Sequence, residues 1–353
     1  MNINISSGVI SYTTQRINEE KKILILGKAS SSLKAREIHL INNLDDALST
    51  YGNSDLYNAF KQLFDLGVKN IYLCNCYAQS DYIRIIDKIL HYDFDYLIPI
   101  NLYLSDTFYN PITDTEDYYF SYFIEQLASV NSLTTVIATE KHADLYEDFD
   151  HYLFSMENVE KEFIKYNDIN KSKLLKKYGN NLNFVYNNLK EVPFANVIVG
   201  ALYCNRDYSK YFPSLHDLSV VYNIDNFDIT GLRAMYFRFN FYNNDVSLEN
   251  PFNFKMSNDI YSNALIDDVI KRVIRQIDMD EFKGKLFNPY TSISIESKLN
   301  KKLRDLKGVL FKTFEIDDIN FIKTDISSGY VQIKFSIIPY GSIENINVVM
   351  GVV

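Results

Sequence analysis

Lys21-Lys22-Ile23-Leu24-Ile25-Leu26-Gly27 is a run of four large apolar residues between a lysine pair and a glycine. That is how a strand buried on both faces reads. Downstream, Leu44, Ala47, Leu48 and Tyr51 recur at helical spacing between Asn43, a suitable N-cap, and Gly52. Ser54 opens a second helix through Leu56, Ala59, Phe60, Leu63 and Phe64, which Gly67 stops. The strand Asn70–Cys74 follows, then a helix with Ile83, Ile86, Ile89 and Leu90 inward, then the strand Tyr96–Ile98 before Pro99. Strand and helix alternating at this spacing predict an α/β domain with a largely parallel sheet.

Further along the signal is uneven. An aromatic helix is predicted over 116–131 and a strand over Thr134–Ala138, while 140–190 resists placement. Val197-Ile198-Val199-Gly200-Ala201 reads as another buried strand. Residues 259–277 are predicted to form an amphipathic helix with Ile266, Val269, Ile270, Val273 and Ile277 inward. After Pro289 a second helix turns Ile295, Leu299, Leu303 and Leu306 inward, ends at Gly308, and shows Lys298, Lys301, Lys302 and Arg304 on its other face. A strand over Val309–Phe314 precedes another in which Val331, Ile333, Phe335 and Ile337 alternate with polar residues up to Pro339. The chain divides as an arm (1–20), an α/β domain (21–215), a C-terminal core (216–340) and a second arm (341–353).

The 353 residues carry 36 basic and 45 acidic side chains, a net charge of −9, which argues against a general nucleic-acid binder. The excess is local: 114–168 holds 13 acids against three lysines, whereas 271–312 holds eleven basic residues against five acids. Such a sign reversal suits either solvated faces or a subunit meeting two different neighbours. No run approaches the ~20 apolar residues of a membrane helix, so no membrane insertion is expected. Cys74, Cys76 and Cys204 are too few for a disulfide scaffold. Gly27-Lys28-Ala29-Ser30 matches neither phosphate-binding glycine pattern, and Cys74-Asn75-Cys76 has no second ligand pair at metal-site spacing. The acids around Asp144 are expected to have neither a strand-end position nor an accompanying histidine, which favours a solvated face. No catalytic residue, metal or cofactor is expected.

The two ends carry more information. Ile3, Ile5, Val9 and Tyr12 lie in short extended pieces around Gly8, and Ile343, Ile346, Val348 and Met350 follow Pro339-Tyr340-Gly341. Such stretches either pair within their own monomer or leave it to extend a neighbour's open sheet edge.

Taken in order, several segments resemble the contractile tail sheath proteins of bacteriophages and related injection machines. Ser7-Gly8-Val9 is similar to that family's opening Pro-Gly-Val segment, and Ile25-Leu26-Gly27-Lys28-Ala29 to its first strand and glycine turn. Residues 41–52 and 56–73 resemble its next strand–helix passages, and Val192-Pro193 with 199–207 its Pro, then Ala-Gly-x-x-Ala-Arg-x-Asp stretch. Ile229-Thr230-Gly231-Leu232-Arg233 resembles the start of its C-terminal core, and 333–348 its last strand, proline and arm. The proline before Gly8 and a second glycine at Gly67 are missing from the pattern.

The resemblance implies a mixed α/β and α+β protein. An outer N-terminal α/β domain would accompany a C-terminal core of two helices on a small sheet, completed by arms from neighbouring subunits. The acceptor strand would carry Val331, Ile333, Phe335 and Ile337. Copies would stack as hexameric rings around an inner tube protein, with baseplate and tail terminator proteins as further partners and Lys298, Lys301, Lys302 and Arg304 facing the tube. Such a particle is assembled in a bacterial host's cytoplasm and contracts to drive the tube through an envelope. A baseplate or tail-completion protein sharing the core, and a small α/β enzyme built on 21–100, are the competing expectations.

Overall fold

A computed structural model describes residues 21–92, 94–130, 132–171, 173–190, 192–205, 221–222, 233–240, 245–249, 254, 272–273, 277, 279–282, 284–323 and 329–339. Both arms, with Ile3, Ile5, Val9, Tyr12, Ile343, Ile346, Val348 and Met350, lie outside the described residues, as does most of the predicted 259–277 helix. The chain forms two compact units, one spanning Asn18–Ala264 and the other containing Leu265–Val353.

The first unit runs β1 (Ile23–Gly27), β2 (Ile38–Ile41), α1 (Leu44–Tyr51), α2 (Asp55–Asp65), β3 (Ile71–Asn75), α3 (Gln79–Ile89), β4 (Tyr96–Pro99), β5 (Thr107–Asn110), β6 (Thr115–Tyr118), α4 (Tyr119–Ser129), β7 (Thr135–Thr139), α5 (Phe149–Ile169), α6 (Leu174–Tyr178), β8 (Leu182–Val185), α7 (Ala195–Asn205), β9 (Ala234–Asn240) and β10 (Asp245–Glu249). Eight strands form one sheet in the order β10-β9-β8-β7-β4-β1-β3-β2. The six from β9 to β3 are mutually parallel, and the edge strands β2 and β10 are antiparallel. β1 lies inside the sheet between β4 and β3 with every residue buried, as its unbroken apolar run requires. The small antiparallel hairpin β5–β6 stands apart from this sheet.

Local chemistry sets the early helix ends. The Asn43 side chain accepts from the Asp46 amide at 2.8 Å, and Ser54 Oγ accepts from the Tyr57 amide at 3.3 Å. Gly67 takes φ +77 after α2, a left-handed turn that a Cβ would strain. In α3 the buried stripe is Tyr82, Ile85, Ile86 and Ile89, so it is rotated from the expected one and leaves Ile83 half-buried.

Two expectations need correction. Val197–Ala201 is not a strand but the centre of α7, an almost wholly buried helix. Periodicity cannot separate a buried strand from a helix that is apolar all round. What decides is long-range: Asn196 donates to the carbonyls of Pro99 (3.0 Å) and Ile137 (3.3 Å), and a Cβ on Gly200 would lie 2.4 Å from Ile98 Cδ1. The helix backbone therefore lies directly on β4. The second correction concerns residues beyond 215. β9 and β10 fall on the far side of the expected boundary yet pair in the large sheet, and the compact units part only after Ala264.

The second unit contains α8 (Pro289–Leu306), β11 (Phe311–Lys323) and β12 (Gly329–Pro339). Asn288 caps α8 by accepting from the Thr291 amide at 3.0 Å, and Pro289 supplies a first-turn residue whose missing N–H costs nothing. Ile295, Leu299, Leu303 and Leu306 are buried, as their spacing predicts. With Val273, Leu310 and Phe311, the last three of these form a small core against one face of the β11–β12 hairpin. β11 runs well past the expected Phe314. Its alternation Phe314, Ile316, Ile319, Phe321 contains one extra residue, and the pairing register shifts between Ile316 and Asp318 to absorb it.

Candidate assembly site

A parallel sheet binds small molecules where neighbouring crossovers diverge, here beyond the carboxyl ends of β1 and β4. That crevice is filled by protein. A side chain on Gly27 would meet Ile100 Cγ1 at 2.4 Å and Leu56 at 3.3 Å. Asn101, at φ +57, donates to Asp55 (2.7 Å) and accepts from the Lys28 amide (3.4 Å), bridging both sides. Gly27 therefore serves close packing, and no phosphate cradle is formed. Cys74 and Cys76 are buried thiols, and burial pushes Cys76 well above the usual thiol range. Among the described residues no group of three His, Cys, Asp or Glu side chains is placed to hold a metal. Contrary to expectation, histidines do accompany the acids around Asp144, because the short turn after β7 folds His142 back: Asp144 lies 3.2 Å from His142 Nδ1 and accepts from the Tyr222 hydroxyl at 2.6 Å.

One buried carboxyl invites chemistry but has a structural explanation. Glu160 of α5 is 2 % exposed, takes the Arg233 backbone N–H, and accepts from the Tyr186 hydroxyl at 3.1 Å. Burial, partly offset by those bonds and by Arg233, raises its pKa to about 7. The folded state thus holds a proton that the unfolded chain releases above about pH 4.5. Stability should fall as pH rises from about 4.5 to 7 and stay level above that. Glu160→Gln, which keeps the hydrogen-bonding shape, should be more stable than wild type by about 3 kcal/mol at pH 8 and equal to it near pH 4.5. Thermal melts of both proteins across that range check this; parallel pH profiles would reject it.

The hairpin of the second unit has a different character. Val331, Ile333, Phe335 and Ile337 are half-buried on one face, alternating with exposed Gln332, Lys334 and Ser336. Ile333, Phe335 and Ile337 pack on the core, opposite Ile319, Ile316 and Phe314 of β11. Among the described residues β11 and β12 form a two-stranded sheet with each other, and beyond the Lys307–Phe311 bridge no further strand is paired to either outer edge. A groove of about 410 Å³ adjoins the turn end of the hairpin, lined by Met279, Phe282, Phe287, Phe321, Val331 and Ile333 among others.

The four basic residues of α8 do not act as one face. Lys298 is held 2.9 Å from Glu281 and lies 5.8 Å from the Phe282 ring centre. Lys302 is half-buried, and only Lys301 and Arg304 are fully exposed. Their outward face also carries Tyr290 (85 % exposed) and Ile293 (63 % exposed), which patterning alone passes over. The signal was present: both lie opposite the Ile295–Leu299–Leu303–Leu306 stripe in helical projection.

Neither the family models nor the curated proteins contain a match to this chain. Solved structures do. A chain of the six-fold symmetrised baseplate of the anti-feeding prophage superposes with a TM-score of 0.59 at 11 % identity, covering 94 % of this chain and 93 % of that one. The sheath tail protein of Desulfitobacterium hafniense gives 0.58 at 10 % identity, over 96 % and 100 % of the two chains. The sheath tail protein of Listeria innocua gives 0.52 at 9 % identity, over 93 % and 98 %. The fold is thus that of contractile-tail sheath-like proteins, shared along nearly the whole of each chain.

Proposed function

We propose that this chain is a structural subunit of a contractile tail sheath, polymerising around an inner tube and contracting to drive that tube through a cell envelope. The observation that carries this reading is the end-to-end likeness to two sheath tail proteins. The two-stranded hairpin adds a physical reason. Its apolar face is only half covered and both outer edges lack strand partners among the described residues, which suits completion by strands from elsewhere.

In this proposal residues 1–20 and 341–353 of neighbouring copies supply those strands through Ile3, Ile5, Val9 and Tyr12 and through Ile343, Ile346, Val348 and Met350. Backbone bonds give affinity and the period of two gives register. Copies form hexameric rings, the linkage persists while the bodies repack, and contraction needs no catalytic chemistry in this chain. The inner tube, baseplate and tail terminator are the other partners, and the product is part of a virion tail or related particle. A second reading, a baseplate protein built on the same core, is favoured by the prophage baseplate match. A small α/β enzyme is disfavoured by the filled crevice at Gly27.

Electron microscopy of the purified chain, alone and with its inner tube protein, separates these readings. Long helical tubes are expected of a sheath; single rings confined to tube ends would indicate a baseplate component. On α8, reversing Lys301 and Arg304 to glutamate should weaken tube-templated assembly at least several-fold at low salt and less at high salt. Unchanged co-assembly would remove that helix face from the tube contact.

A further inference from the structure

The loop between β1 and β2 is held in a shape it would not take unaided. Lys34 and Arg36 both sit at positive φ (+53 and +62), a conformation costly for side chains with a Cβ. Asn75, fully buried, enforces it: its Oδ1 accepts from the Ala29 amide at 3.1 Å, and its Nδ2 donates to the carbonyls of Ser31 (2.8 Å) and Leu33 (3.0 Å). Lys88 Nζ donates to the Arg36 carbonyl at 2.8 Å, and Arg36 lies 3.5 Å from Asp81. The product of this bracing is Leu33, 73 % exposed and useless to the core, set among Lys28, Lys34 and Arg36 with no acid from 28 to 36. Strain maintained by several long-range bonds to display an apolar side chain points to a contact surface.

The same unit carries a surface of opposite sign. Leu145 (72 % exposed) and Phe154 (65 % exposed) flank Glu147, Asp148 and Asp150 at the start of α5, with Phe154 one helical turn beyond Asp150. His151, on this face too, is 3.4 Å from Asp148. The two surfaces cannot meet within one copy. The loop lies against β3 through the Ala35–Asn75 bridge, whereas the acidic segment lies against the chain beyond β8 through the Ala143 amide and Asn187 carbonyl (3.1 Å). Between β3 and β8 the sheet interposes β1, β4 and β7, a lateral offset of roughly 19 Å.

We propose that the Leu33 loop of one copy docks on the Leu145–Phe154 face of the next, joining the α/β units of neighbouring subunits head to tail. This rests on the reading that copies of the chain polymerise. Apolar meets apolar at the centre and Lys28 and Lys34 meet Glu147, Asp148 and Asp150 at the rim, an arrangement that sets register more than affinity. Because the two patches differ and lie apart, the contact is heterologous and propagates into a ring or helix rather than closing a two-fold dimer.

The test uses two full-length variants, Leu33→Cys and Phe154→Cys, each at an exposed site that leaves the core untouched. Mixed in equal amounts under assembly conditions and oxidised, they should yield a disulfide-linked pair of chains that neither variant nor the wild type gives alone. Polymers visible by microscopy without this mixture-specific link would overturn the contact while sparing the assembly reading; chains that stay monomeric under all conditions would overturn both. In parallel, Lys34→Glu should raise the concentration needed for assembly at low salt by roughly tenfold, and adding Asp150→Lys should restore it. Failure of the second change to rescue the first would also reject the contact.

Discussion

Removing residues 342–353 is expected to abolish polymers completely while leaving a folded chain that melts within about 2 °C of the full-length protein. The last residue that packs on a described core is Ile337, and β12 closes its pairing with β11 at Pro339. Every described core residue of either unit therefore precedes the deleted segment. If the segment is donated to a neighbour, its loss removes the strand that ties the C-terminal units of adjacent copies together. If it instead folds back on its own monomer, deletion removes native backbone bonds and the melting temperature drops. Size-exclusion chromatography, a thermal melt and negative-stain microscopy on one sample separate these outcomes. Normal sheaths from the truncated chain, or a truncated chain that no longer folds, would each count against strand donation.

Asn188→Ala should cost on the order of 4 kcal/mol and lower the melting temperature by about 10 °C. Asn188 is fully buried just beyond β8. Its Nδ2 donates to the carbonyls of Phe237 (2.7 Å) and Tyr222 (2.9 Å), and its Oδ1 accepts from the Phe237 amide at 3.0 Å. β8 pairs with β9 only through Phe184–Ala234 and Val185–Met235, so this side chain continues the ladder as a surrogate peptide. Alanine would orphan the buried Phe237 amide and carbonyl, each worth about 1–3 kcal/mol, and remove the part-buried bond to the Tyr222 carbonyl. Asn188→Asp tests the mechanism, since it keeps the acceptor and loses both donations; it should be no better tolerated than alanine. A loss below about 1 kcal/mol in the alanine protein would mean that water replaces the amide.

The sheath-like fold was legible in the sequence because several short segments kept their order and spacing, and each is a local device. Asn43, Ser54 and Gly67 end helices through bonds or dihedrals within a few residues, so their roles could be read directly. The α8 stripe and the β12 alternation were equally plain, because one-sided burial imposes a period that composition alone does not mask. The candidate site was legible in part. The apolar side of β12 lies inward as its alternation predicts, but the basic set on α8 splits once Glu281 takes Lys298.

What patterning could not reach depended on partners distant in the chain. Val197–Ala201 is a helix because Asn196 finds carbonyls 97 and 59 residues away and because Gly200 lets its backbone press on Ile98. β9 and β10 join the first unit because β8 and Asn188 offer them an edge. The left-handed residues at Lys34 and Arg36 exist because Asn75, some 40 positions on, holds the loop around them. The sequence by itself determined where elements begin, which faces are apolar and which family they resemble, since capping and periodicity act between residues a few positions apart. Only the tertiary structure decided helix against strand in an all-apolar run, which unit the late strands complete and which exposed side chains stand together. Those outcomes turn on hydrogen bonds and close contacts whose partners folding alone brings into reach.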